Sequence, residues 1–238
     1  MYILSLETST KIFSLAIAKD GKVLRYRNLK TERVLENSIV PAIDHVLGLA
    51  KVRFEQIDAF AIGLGPGSFT SLRVGLSMIK AFCMAAQKPV VGISSLDVIA
   101  MNVMGTPCDQ VCVLTDARRN LLYACLYECS GQQLRRRSEH MLISAQELLD
   151  KVHGKTLFVG DGVPLCRSAI ERMYHEHALR YKTGACRPLF AEEKYFLPSA
   201  RSLLALAYPR IQQGQFDDVQ RLTPIYLYPQ DCQVERKP

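Results

Sequence analysis

Residues 57–86 read IDAFAIGLGPGSFTSLRVGLSMIKAFCMAA, and they decide the fold. The run from Ile57 to Leu64 is apolar except for Asp58 and short enough for a buried strand. It breaks at Gly65-Pro-Gly67, where glycine accepts backbone angles that other residues resist. Ser68 is placed to cap a helix, and from there apolar residues continue to Ala86 without alternation, which predicts a long one. Pro89 stops it. Strand, glycine corner and helix together make the unit of an α/β layer.

Working outward, Tyr2–Leu6 reads as a buried strand. Ile12–Ala18 is a second, closing at the hairpin signal Asp20-Gly21, and Val23–Leu29 is its return. A helix is expected over Val34–Ala50. Beyond Pro89 come a short strand at Val90-Val91 and a helix capped by Ser94 or Ser95 that runs to about Met104. Gly105-Thr-Pro107 then divides the chain into residues 1–105 and a degenerate second lobe, 106–238, whose tail is expected to return toward the first, and the order of elements begins again. Val111–Thr115 is a strand ending at Asp116, with further strands at Leu121–Cys129 and Gln132–Leu142. A short helix from Ser144 to Val152, a strand at Thr156–Val159, the turn Gly160-Asp-Gly162 and another helix complete the series. Glu7 and Asp116 each end a first strand, Gly21 and Gly131 each sit in a hairpin, and Gly63 and Gly160 each come after a fourth strand. The expected fold is a duplicated α/β chain of two lobes, each a mixed sheet flanked by helices. The actin-like (ASKHA, RNase H-like) superfamily is built this way.

The chain has 238 residues, 48% hydrophobic and 22% charged, enough for a sizeable core. Thirty Lys and Arg against 23 Asp and Glu give +7 and a pI near 9.0. That surplus allows contact with RNA or an acidic partner, and equally serves solubility. The start, MYILSLETST, lacks the pattern of a signal peptide, and no apolar run is read as reaching the ~18 residues of a membrane span. The cysteines sit largely in apolar segments and are expected reduced, so the protein is expected in the cytoplasm.

The glycine corner admits two readings: an anion site at a helix start, or a tight strand-to-helix corner, which the spacing favours. No Gly-Lys-Ser/Thr comes after it, so it is not a Walker loop. Phosphate-gripping hairpins need small residues where backbone meets phosphate. Glu7-Thr-Ser-Thr10 could serve, but Asp116-Ala-Arg-Arg119 is bulky, which predicts weak or no nucleotide binding by the chain alone. Across the cleft, Glu7 and Asp116 read either as a carboxylate pair or as strand-end caps. Among His45, His140, His153, His175 and His177 no pair is spaced to clamp a metal from one helix. Cys108, Cys112, Cys125 and Cys129 suggest a thiolate site, yet three fall on strands, where residues four apart lie about 13 Å from each other. Ser68, Thr70 and Ser71 have no nearby histidine base. No catalytic residue, metal site or cofactor site is assigned.

The helix from Phe69 to Ala86 is apolar almost all round, and Val34–Ala50 is apolar over about half its circumference. Either both are sandwiched within their own lobe or they present a partner surface. Arg135-Arg136-Arg137 reads as a solvated charge run or as an RNA contact.

Gly65-Pro-Gly-Ser-Phe-Thr-Ser-Leu-Arg-Val-Gly75, together with Lys80, resembles the GPGSFTGLR signature of the TsaB (YeaZ) family. Pro89–Ala100, Asp116-Ala-Arg-Arg-Asn-Leu-Leu-Tyr123 and Pro224-Ile-Tyr-Leu227 are similar to further segments of that family. The match is dense over residues 1–127, thin over 128–215, and returns at the tail. Departures are Glu7 for the usual Asp, Asn37 for a frequent His, Ser71 for Gly and Tyr228 for Arg. The resemblance implies a non-catalytic, actin-like subunit that dimerises with TsaD for threonylcarbamoyl transfer to tRNA adenosine. It implies TsaE as a further partner, self-association as a homodimer, tRNA reached through the complex, and no membrane. It places docking on Leu35, Ile39, Val40, Ile43, Leu47, Phe69, Arg73, Leu76, Ser77 and Lys80, and leaves room for a nucleotide at the interface shared with TsaD. The rival expectation is an enzyme: an actin-like ATPase, a carbamoyltransferase or a peptidase.

Overall fold

Each half of the chain builds one mixed sheet. The computed structural model describes residues 1–30, 36–131, 133–181 and 187–228. The first half runs β1 (Tyr2–Glu7), β2 (Ile12–Lys19), β3 (Lys22–Lys30), α1 (Glu36–Ala50), β4 (Ile57–Gly63), α2 (Phe69–Ala86), β5 (Val90–Ile93) and α3 (Ser95–Met101). The second runs β6 (Gln110–Arg118), β7 (Leu121–Ser130), β8 (Gln133–Arg136), β9 (Met141–Ser144), α4 (Ala145–Leu149), β10 (Thr156–Val159), α5 (Val163–Tyr181), β11 (Leu189–Phe190) and α6 (Ala200–Gln212).

The first sheet has the order β3-β2-β1-β4-β5, the second β11-β10-β6-β7-β8 with β9 also on β7. In each, an antiparallel hairpin is extended by parallel strands, β4 beside β1 and β10 beside β6. The expected third strand of the second lobe is two strands, β8 and β9, on successive stretches of β7. Ser138 divides them, because its Oγ accepts from Leu126 N and takes a donor the ladder would otherwise use.

Helices cover both faces of the first sheet, which is why β1 and β4 read as nearly continuous apolar runs rather than alternating ones. Leu4, Leu6, Phe60 and Ile62 face α1 and α2. Ile3, Ala59 and Ala61 face α6, and the small alanines let that helix lie close. Nothing in the pattern of residues 128–215 announced that α6, from the far end of the chain, belongs to the first sheet. Ser5 Oγ donates to Ala200 O at 2.9 Å and Ser14 Oγ accepts from Ala200 N at 2.8 Å, anchoring its start.

Helix α3 joins the lobes. Its Val98 packs with the α6 layer, while Leu96, Ile99 and Ala100 enter the core of the second lobe. Of the two capping candidates Ser94 holds the position, accepting from Leu96 N. Ser68 stands at the N-cap of α2, but its side chain bonds Ser71 Oγ instead of the backbone. One sequence expectation needs correction: α2, at 18 residues, is long and apolar enough to cross a membrane. Leu72, Gly75, Leu76, Ile79 and Cys83 bury one side of it against the sheet, as in the core helix of a folded lobe.

Candidate functional site

The outer surface of the α1–α2 layer carries several exposed apolar side chains among polar ones. Ile39, Ile43, Leu47 and Leu76, expected on a docking face, are core residues of their own lobe and cannot meet a partner while the lobe is folded. Leu35 lies outside the described residues. Val40 and Phe69 are exposed at 42% and 54%, joined by Leu49 at 52% and Met84 at 63%. Only 28% of α2 is buried. Arg73 lies flat over Phe69, 3.8 Å from the ring centre, and its Nε donates to Tyr226 Oη at 3.0 Å. Phe69, Arg73 and Tyr226 thus form one aromatic–cation cluster, with Ser77 exposed on the same helix and Lys80 donating to Gln220 O at 3.2 Å. Tyr226, Leu49 and Met84 are not among the residues that the resemblance placed on a docking face. A tail returning toward the first lobe was expected; that Tyr226 meets Arg73 of α2 was not.

Between the lobes lies a cleft of about 610 Å³ whose lining includes Ser9, Thr10, Lys11, Asp116, Arg118 and Asp161. Glu7 is not part of it. Its side chain is fully buried, accepting from Ser9 N at 2.7 Å and Ser95 Oγ at 2.9 Å. Burial pushes its carboxyl above the usual range, against those hydrogen bonds. Gly63 is required beside it, since a Cβ there would overlap the Glu7 carboxylate. The glycine corner is the tight packing device rather than an open anion site: Gly67 lies against the Ser9 backbone, and Ser68 N donates to Ser9 O at 2.7 Å.

The hairpin of the second lobe is different. Arg118, Arg119 and Asn120 all take left-handed angles, with φ of 70°, 52° and 58°. A two-residue turn matching the twist of its strands requires this of Arg119 and Asn120. Asp116 curls back onto it, accepting from Arg118 N at 2.7 Å and pairing with the Arg118 guanidinium at 3.1 Å. Asp161 accepts from Asp116 N at 3.1 Å, and burial, then the nearby Asp116 charge, pushes its own carboxyl up. The Asp116 and Arg118 backbone N–H groups are thus both taken by carboxylates.

The remaining candidates are scattered. Arg136 pairs with Asp97 at 3.8 Å and Arg137 with Glu128 at 3.4 Å, leaving Arg135 as the exposed member without a carboxylate among the described residues. No group of three metal-ligating side chains occurs among the described residues.

The family model for TsaD, tRNA N6-adenosine threonylcarbamoyltransferase, matches residues 30–229. The chain belongs to the TsaD family. Within it the chain is similar to proteins named TsaB. The "tRNA threonylcarbamoyladenosine biosynthesis protein TsaB" of Haemophilus influenzae is 28% identical over 94% of this chain and 92% of its own length. Its namesake in Escherichia coli is 25% identical over 95% of this chain and 94% of its own. The solved structure of YeaZ from Pseudomonas aeruginosa superposes with a TM-score of 0.75 at 23% identity, covering 95% of this chain and 99% of that one. A ROK hexokinase from Thermus thermophilus shares the fold at TM-score 0.50 and 12% identity, over 87% of this chain and 99% of its own. The TsaB resemblance and the duplicated actin-like fold therefore both stand.

Proposed function

We propose that this TsaD-family chain is a non-catalytic subunit of tRNA threonylcarbamoyladenosine biosynthesis that docks a TsaD catalytic subunit on its α1–α2 face. The observation that carries this is the set of exposed side chains on α2 and the tail, Phe69, Met84 and the Arg73–Tyr226 cluster. Aromatic and arginine side chains at the centre of an apolar patch are the usual anchors of an interface. TsaE joins the pair, tRNA is reached through the assembly, and the same face closes a homodimer when TsaD is absent. Such a subunit works in the cytoplasm.

The rival, an actin-like enzyme in its own right, fits the geometry less well. A nucleotide in the cleft would meet Asp116 and Asp161, while Glu7 is sealed away from any ligand. We therefore assign no independent nucleotide site to the chain; any nucleotide belongs to the interface shared with TsaD. Isothermal titration with ATP and magnesium should show no saturable heat, and micromolar affinity would return the enzyme reading.

Docking is tested by titrating TsaD with wild type and with Phe69→Asp plus Met84→Asp. Both positions are exposed, so the variant should fold with an unchanged circular dichroism spectrum. Affinity should fall at least ~100-fold, the loss of two anchors; unchanged affinity would move the interface elsewhere. Charges at Ile43 or Leu47 would unfold the lobe instead.

A further inference from the structure

Two thiols meet where the lobes join. Cys108 lies on the segment between α3 and β6, and Cys129 lies near the end of β7. Their Sγ atoms are 3.1 Å apart. The backbone holds them there, with Cys129 N donating to Asp109 O at 3.0 Å and Cys129 paired with Leu134 of β8. Both are partly exposed, whereas Cys83, Cys112, Cys125 and Cys166 are buried. We propose that Cys108 and Cys129 are a modification site that forms a reversible disulfide with a small two-electron oxidant of the peroxide class.

The step balances with one hydrogen peroxide. Cys108, as thiolate, attacks a peroxide oxygen; the O–O bond breaks, Cys108 becomes a sulfenic acid, and the departing hydroxide takes the released proton as water. Cys129 then attacks the Cys108 sulfur, the S–S bond forms, and the S–O bond breaks. The hydroxide leaves with the Cys129 proton as a second water. Two thiols are oxidised and one peroxide is reduced. Cys129 suits the second role. Its Sγ lies within reach of the Cys108 sulfur, and burial, then its contact with Cys108, pushes its own thiol up, which makes it the poorer first nucleophile. The new bond ties the inter-lobe segment to β7. A dithiol reductant restores both thiols.

The test uses the reduced full-length chain with hydrogen peroxide, in wild type and in a Cys186→Ser plus Cys232→Ser background that removes the two remaining cysteines of the sequence. Intact mass should fall by two hydrogens in both, non-reducing peptide mapping should join Cys108 to Cys129, and dithiothreitol should reverse it. Cys129→Ser should stop at a sulfenic acid on Cys108 that dimedone traps. A folded chain whose Cys108 and Cys129 peptides stay separate after peroxide overturns the proposal, as does a linkage that forms only after denaturation.

Discussion

Glu7 and Asp116 hold equivalent places, each at the end of the first strand of a lobe, and they do opposite things. Glu7 turns inward, fully buried, and ties its hairpin to α3 through Ser9 N and Ser95 Oγ. Asp116 turns into the cleft and closes on the adjoining hairpin. The difference lies in what surrounds each acid. Gly63 leaves room for a carboxylate inside the first lobe. In the second, a Cβ at Gly160 would meet the Leu114 backbone, and Asp116 bonds Arg118 instead. A duplicated scaffold keeps the acid and lets its neighbours decide whether it supports the fold or guards the cleft.

The comparison breaks most visibly at Glu7. Glu7→Ala should lower unfolding free energy by about 3 kcal/mol in urea melts, because it opens a cavity and strands two buried donors. Equal loss from Asp116→Ala would erase the distinction. That second change should cost no more than about 1 kcal/mol, since the Arg118 partner is largely exposed and screened.

Titration sharpens the contrast further. The Glu7 carboxyl is raised on folding, so the folded chain holds this proton more tightly than the unfolded chain. Its contribution is fully present below the unfolded value near 4.5 and declines as pH rises through the folded value. Wild type should therefore lose stability relative to Glu7→Gln as pH rises above the unfolded value of 4.5, measured by melts across pH. A constant difference would mean that Glu7 does not titrate on folding.

The cleft supplies the smaller effects. Asp116→Ala frees Arg118 N and its guanidinium and removes a negative charge, so inorganic pyrophosphate should give saturable heat by calorimetry where wild type gives none. No gain would show that the carboxylate is not what blocks the anion. Arg119→Gly relieves a left-handed angle at an exposed turn and should raise stability by up to about 1 kcal/mol. A loss would mean that the Arg119 side chain holds the turn by some other contact.

Much of this was legible in residue order. The glycine corner at Gly65–Gly67, the hairpin at Asp20-Gly21 and the repeated series of elements rest on local rules of backbone angle and periodicity, and they appear close to where they were expected. The proposed docking surface was legible only by helix. The apolar excess of α1 and α2 was real, but Ile39, Ile43, Leu47 and Leu76 belong to the core, and Phe69, Met84 and Tyr226 face outward. Periodicity measures how greasy a face is and carries no information about what covers it.

From residue order alone came the duplicated α/β lobes, the long apolar α2 and the bulky second hairpin, because each depends on neighbours along the chain. Tertiary structure alone decided that α6 returns to the first sheet, that Glu7 points inward, and that Cys108 meets Cys129. Those outcomes are contacts between residues far apart in sequence, and their energies exist only once packing has chosen which surfaces meet.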